Sequence, residues 1–350
     1  MRSEFPIAGR MTGTGRPCFV IAEAGVNHNG DLGLALDLVD VAAEAGADAV
    51  KFQTFSADRL VTATAPKAAY QIETTGADES QHAMLAKLEL SLDDHRALMR
   101  RCDERGVTFL STPFDEQAAD MLESLGVVAY KTPSGELTNL PYLRHVARLG
   151  KPMIVSTGMA TLSEVEAAVL AVREAGSDEL ALLHCVSSYP AEADQINLRA
   201  MATLERAFRA PVGYSDHSEG IEIALAAVAL GACVVEKHYT TDRRLPGPDH
   251  RASLEPAELA TMIRSIRTVE AALGDGRKIP TAGEVSTAAA ARKSLVIARD
   301  IAAGEILTDE HVVAKRPGTG LPPSYRAQLV GRTARIALRE GTLLDWGMLT

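Results

Sequence analysis

Aromatic residues are scarce, at 4% of 350 residues with a single Trp, so stacking platforms for nucleobases or long glycans are not expected. Cysteines number only four, Cys18, Cys102, Cys185 and Cys233, with no CxxC spacing. That pattern reads as reduced, packed thiols in a cytoplasmic protein. Positive charge is not in excess: 36 Lys and Arg stand against 46 Asp and Glu, a net charge of −10. This argues against a nucleic-acid surface and leaves room for a local anion pocket. Long hydrophobic runs are also missing, and no membrane association is expected. The most apolar stretch, Ile221 to Val235, is broken by Glu222 and falls short of the roughly 20 residues a bilayer span requires. Met1 to Pro17 carries Arg2, Arg10 and Arg16 but no apolar core, unlike a signal peptide.

Hydrophobic residues at 46% and charged residues at 23% are globular values. The length suits either several ordinary domains or one α/β barrel of about 250 residues with an addition. From Cys18 to Tyr239 one unit recurs: a short apolar run, a polar cluster, then a helix-period segment. The runs are Phe19–Ala22, Ala49–Phe52, Val107–Leu110, Val127–Tyr130, Met153–Val155, Leu180–Leu183, Pro211–Tyr214 and Cys233–Val235. The amphipathic stretches include Leu34–Ala45, Asp93–Arg105, Glu116–Leu125 and Ser163–Ala175, several followed by Gly, as past a helix C-terminus. Eight strands apolar on both faces, alternating with helices, predict a closed (β/α)8 TIM barrel over residues 1–275. A doubly wound open sheet is the alternative, but Gly25 and Gly30 are not spaced as GxGxxG. The polar interval 55–82 is long for a connection and reads as either a lid or a disordered loop. Residues 276–291, with Pro280, Gly283 and an Ala run, read as a linker to a small unit, 292–350. That unit has an internal echo, Arg299–Leu307 against Ala337–Leu344.

In such a barrel the strand C-termini face the active site. Those positions carry Glu23; Lys51 and Gln53; Ser111 and Thr112; Lys131, Ser134 and Glu136; Ser156; His184 and Ser187; Ser215 and His217; Glu236 and His238. A single inward Lys reads as a snorkelling surface residue, but two at matched strand ends point to a bound anion. His217 and His238 end adjacent strands, with Glu236 on the face of His238, a set suited either to a divalent cation or to hydrogen-bonded core histidines. Ser215, Asp216 and His217 cannot form a relay, because strand neighbours point to opposite faces. His28, among Asn, Gly and Asp, reads as part of a turn.

Taken in order, Phe19–Gly30, Lys51-Phe-Gln-Thr54, Ser111–Asp115, Lys131–Glu136, Ser156–Met159, His184–Pro190, Gly213–His217, Glu236-Lys-His238 and Gly247–His250 resemble the bacterial sialic acid synthase family. Residues 292–350, with Lys315–Gly320, resemble the antifreeze-like (SAF, β-clip type) domain that ends these enzymes. The resemblance implies condensation of phosphoenolpyruvate with an N-acylated amino-hexose, first of all N-acetylmannosamine giving N-acetylneuraminate, with loss of phosphate by C–O cleavage. Alternatives are a legionaminic or pseudaminic acid synthase using a 2,4-diacetamido sugar, or a phospho-sugar-dependent 3-deoxy-ulosonate synthase. An ice- or ligand-binding module on an inert barrel is the non-enzymatic alternative. The resemblance further implies Mn2+ or Mg2+ on His217 and His238. It places phosphoenolpyruvate on Lys51, Ser80, Thr112, Lys131, Ser134, Ser156, Ser187 and Ser215, and the sugar on Gln53, Tyr189, Asp249 and Arg316. Glu23, Glu136, Tyr189 and Glu236 are the implied catalytic groups, Glu23 before Glu136 as the one acting on water. The implied assembly is a domain-swapped homodimer in which Arg316 reaches the partner's barrel. Ser187 stands where some members carry Asn.

Overall fold

A strand buried on both faces needs cover on both, and helices with one apolar stripe supply the outer layer. The computed structural model describes residues 4–350 and divides into two units, one ending at Gly274 and the other Asp275–Thr350. The first begins with an antiparallel hairpin, β1 (Glu4–Ile7) and β2 (Arg10–Gly13). Eight parallel strands follow: β3 (Phe19–Gly25), β4 (Ala49–Thr54), β5 (Thr108–Pro113), β6 (Tyr130–Thr132), β7 (Met153–Ser156), β8 (Leu180–Cys185), β9 (Val212–Asp216) and β10 (Val234–His238). Their ladder runs β5-β4-β3-β10-β9-β8-β7-β6, and the end strands β5 and β6 lie against each other. The result is a nearly closed TIM-type barrel.

The helices begin and end where the sequence places their caps. Asp31, Ser91, Asp115 and Thr161 each accept a backbone N–H in the first turn of the helices Leu32–Ala45, Leu92–Arg105, Glu116–Leu125 and Leu162–Glu174. Such a cap contributes about 1 kcal/mol. Gly46, Gly106 and Gly126 close the first three in the left-handed conformation. The strands' outward residues pack on these helices as the main core. Their inward residues, including Ile21, Ala49, Leu110, Ile154, Ala181, Leu183 and Val234, fill the barrel, joined by Phe5 and Ile7 of the hairpin. The hairpin's part in this inner core was not foreseen from the sequence.

The interval 55–82 is not a structureless loop. It holds the short helices Ala57–Leu60 and Ala69–Thr75 and leads into a third, Gln81–Ala86. Its Leu60, with Leu85 of the third helix and Phe114, packs on Val26, Phe55 and Leu88 as a separate apolar cluster. In the second unit, the segment read as a linker carries a helix, Glu284–Ala291. Beyond it, β11 (Ser294–Ile297) pairs antiparallel with β12 (Val312–Lys315) over its own small core. The two copies of the echo meet through a bridge between Ile301 and Leu338, and Asp345 caps the short turn Trp346–Met348. Among the described residues no helix is long and apolar enough to cross a membrane.

Candidate active site

Register brings the polar strand ends into one layer. Glu23 of β3 stands beside Lys51 of β4 and His238 of β10, and Gln53 beside Thr112 of β5. They open into a cavity of about 440 Å³ lined by residues of the first unit. Lys51 is its hub: its Nζ lies 2.6 Å from Glu23 Oε2, donates to Thr112 Oγ1 at 2.7 Å, and stands 3.7 Å from Glu236 Oε2. Lys131 Nζ lies 3.5 Å from Glu236 Oε1, which also accepts Ser215 Oγ–H at 3.1 Å. Gln53 donates to Glu23 Oε1 at 3.2 Å.

These four charged side chains are at most 5% exposed. Burial alone would neutralise Glu236, but Lys131 and Lys51 overcome it and hold its carboxyl down at about 2. Glu23 is pushed up to about 7 by burial, with Glu236 adding and Lys51 opposing. Lys51 keeps its proton against burial because Glu23 and Glu236 flank it, whereas burial lowers Lys131.

His217 and His238 meet at the ends of β9 and β10, ring centroids 5.5 Å apart, with the Tyr189 ring 4.1 Å from His217 and 6.0 Å from His238. His217 Nδ1 donates to the Val186 carbonyl at 2.8 Å, which leaves Nε2 as a lone-pair ligand. His238 Nδ1 is buried without a hydrogen-bond partner, 4.0 Å from Asp249 Oδ2. Burial and His217 keep the His238 ring neutral, and burial raises Asp249 to about 6. Among the described residues no three His, Cys, Asp or Glu converge as a metal cage. What exists is a two-imidazole site with other positions open.

Ser134, Ser156, Ser187 and Ser215 also line the cavity, and the Ser156 hydroxyl is buried without a partner. Gly158 N–H donates to Ser134 Oγ at 2.9 Å. A Cβ on Gly158 would stand 2.3 Å from Ser187 Oγ and 2.8 Å from Ser134 Oγ, so only glycine lets the backbone approach both hydroxyls.

Two expected residues of the first unit lie outside the cavity lining. Ser80 is the N-cap of the helix Gln81–Ala86, its hydroxyl accepting from Ala83 N, and it is not in the lining. Glu136 accepts from Asn139 Nδ2 at 2.7 Å outside the cavity wall, so Glu23 is the one of the two carboxyls that faces the site. Arg316 is exposed in the second unit. Two strand-end readings also change: His184 bonds the Ile196 carbonyl, leaving Cys185 in the wall, and Ser111 bonds Thr54 while Thr112 faces inward. His28 serves its turn, its Nδ1 accepting from Gly30 N.

The sequence reading missed Tyr70, which stacks on Tyr189 at 4.9 Å and 27°, and Gln71 beside it. It also missed the apolar sector of the wall. All six members of the Val26–Phe55–Leu88 cluster line the cavity; Phe55 and Phe114 sit two positions beyond the inward Gln53 and Thr112. The cavity is thus polar at the strand ends, and its apolar sector comes from Val26, Phe55 and Phe114, just beyond β3, β4 and β5, with Leu60, Leu85 and Leu88.

Residues 38–278 match the NeuB family and residues 292–350 the SAF domain. N,N'-diacetyllegionaminic acid synthase of Legionella pneumophila is 49% identical over 95% of this chain and 95% of its own. The Campylobacter jejuni enzyme of the same name is 48% identical over 93% and 98%. The structure of N-acetylneuraminic acid synthetase from Leptospira borgpetersenii, in complex with citrate, superposes with a TM-score of 0.72 at 38% identity, covering 81% of this chain and 94% of that one. Fold, site and relatives define a barrel transferase of the phosphoenolpyruvate-condensing class. Within that class the chain belongs to the NeuB family of nonulosonic acid synthases, with a C-terminal SAF domain.

Proposed function

We propose that this enzyme condenses phosphoenolpyruvate with a 2,4-diacetamido hexose to give a diacetyllegionaminic-type acid and phosphate. One observation carries the donor half: two buried lysines and a row of hydroxyls converge on one cavity, a cradle for a compact, highly charged anion. Lys51, Lys131, Thr112, Ser134, Ser156, Ser187 and Ser215 would hold its phosphate and carboxylate. Lys51 and Lys131 are the only Lys or Arg among the described lining residues, which leaves no second cradle for a phosphorylated sugar.

For the acceptor, two relatives near 50% identity carry the diacetyllegionaminate name, and they favour a diacetamido sugar over N-acetylmannosamine. The apolar sector around Phe55 and Phe114 suits the second acyl methyl. Gln53, Tyr189 and Asp249 would hold the sugar's polar edge. Arg316 of the partner subunit would read an N-acyl group in a homodimer, as the Lys315–Gly320 motif suggests.

The pair His217 and His238 fits a divalent cation, the orphaned Nδ1 of His238 and the free Nε2 of His217 being the donors such an ion needs. Mn2+ or Mg2+ bound there would polarise the aldehyde of the open-chain acceptor as a Lewis acid. The enzyme's own groups do the rest. Carbon 3 of the bound enol forms a bond to the aldehyde carbon as the C=C and C=O π bonds open, the aldehyde oxygen taking a proton from solvent to become a hydroxyl, and Glu236, held as a carboxylate, stabilises the positive charge that develops at carbon 2. Glu23, whose raised pKa lets it exchange a proton near neutral pH, takes one from the water adding there. The C–O bond to phosphate then breaks as the new carbon-2 hydroxyl gives up its proton and closes to the ketone, and phosphate leaves.

The test is phosphate release with N-acetylmannosamine, 2,4-diacetamido and phosphorylated sugars, each with Mn2+ or Mg2+. The diacetamido sugar should give the highest kcat/KM. Release that needs no amino-sugar, or a preference for N-acetylmannosamine or a phosphorylated sugar, would overturn the proposal.

A further inference from the structure

The residues between the functional positions of β9 and β10 point the other way. Asp216 follows Ser215 and precedes His217; Lys237 lies between Glu236 and His238. The two are register partners across the strands and stay out of the cavity lining. Their side chains are 0% and 1% exposed, and Lys237 Nζ lies 2.8 Å from Asp216 Oδ2. Lys237 also donates to the Ser218 carbonyl. Asp216 Oδ1 accepts both Ser218 N–H at 2.9 Å and Ser218 Oγ–H at 2.6 Å. The lysine therefore ties β10 to β9 and to the bend that follows His217.

Taking two charges out of water is costly, and a buried pair returns little net folding energy compared with apolar side chains of similar size. Its effect here is geometric. Every bond it makes fixes a backbone segment that carries His217 or His238, and the two imidazoles keep their spacing only if those segments keep theirs. We infer that the Asp216–Lys237 pair, with Ser218, is a positioning device that sets the two histidines for the divalent cation. The inference rests on the two-histidine metal reading above.

Because stability and positioning separate in a double variant, the pair can be tested on free enzyme by titrating Mn2+ and reading bound ion by electron paramagnetic resonance, alongside thermal melting. Lys237→Met and Asp216→Asn each strand a buried charge and should lower both melting temperature and Mn2+ affinity. Asp216→Asn/Lys237→Met removes both charges and should recover most of the melting temperature. Its Mn2+ affinity should stay about tenfold or more below wild type, the loss typical when groups behind metal ligands are removed. Lys237→Arg should keep both properties. Should the double variant not fold, Ser218→Ala keeps the charges paired and should weaken Mn2+ several-fold with melting unchanged. Wild-type Mn2+ affinity in the double variant or in Ser218→Ala overturns the inference, as does an affinity loss that follows melting loss in every variant. If the wild-type enzyme itself binds no Mn2+, the two-histidine reading falls, and this one with it.

Discussion

Replacing Glu236 by Gln probes the charge balance on which the donor cradle depends. In the free enzyme Lys51 and Lys131 are buried against Glu236 and Glu23, and Glu236 stands 3.7 Å and 3.5 Å from the two ammonium groups. At an effective dielectric near 20 each contact has a Coulomb energy of about 4–5 kcal/mol before desolvation is counted. Breaking a buried pair on one side typically costs about 3–5 kcal/mol. The amide still accepts from Ser215, so the low end, about 3 kcal/mol, applies. For a unit of this size that corresponds to a fall of about 6 °C in melting temperature. In the proposed binding mode phosphoenolpyruvate supplies the missing negative charge. Its addition should therefore raise the melting temperature of Glu236→Gln by more than it raises that of wild type, since ligand binding to the folded state stabilises by mass action. The assay is differential scanning calorimetry with and without phosphoenolpyruvate at fixed pH and salt. An unchanged melting temperature in the free variant would show that the lysines do not depend on Glu236. A smaller ligand-induced shift than in wild type would show that the anion does not sit on them.

Glu23 titrates higher in the folded enzyme, at about 7, than its ordinary 4.5. The folded state therefore binds this proton more tightly, and its stabilising contribution is full below pH 4.5 and lost as pH rises to about 7. Melting temperature should decline more steeply over that window in wild type than in Glu23→Gln, and kcat should rise as the carboxylate forms; parallel melting profiles would contradict the assignment. Gly158→Ala, whose methyl would enter the space of the Ser187 and Ser134 hydroxyls, should raise the phosphoenolpyruvate KM about tenfold and leave the acceptor KM nearly unchanged. Steady-state kinetics with each substrate varied in turn checks this, and an equal rise in both would place the donor elsewhere.

The barrel was legible because burial on both faces leaves a mark in sequence: each strand is an apolar run, and each outer helix carries its cap and stop residues. The phase of the strands was less legible, for the same reason. In β8 both Leu182 and Leu183 are apolar, so nothing in the run says which faces inward; the fold sends Ala181, Leu183 and Cys185 into the barrel and turns His184 out. Where one face is polar the phase is readable, and Lys51 with Gln53 or Glu236 with His238 were placed correctly on that basis. Ser80 shows the opposite error. A hydroxyl three residues before a free helical N–H is a cap before it is a ligand, and the local bond to Ala83 already employs it. The apolar sector was invisible for a third reason. Leu60, Leu85 and Phe114 come from separate segments and mean nothing singly; only the folded interval after β4 sets them above Gln53 and Thr112. In the proposed function that sector takes the acceptor's second acyl group, and on that reading the part of the site that would separate one nonulosonic acid synthase from another is the part that local sequence patterns encode least.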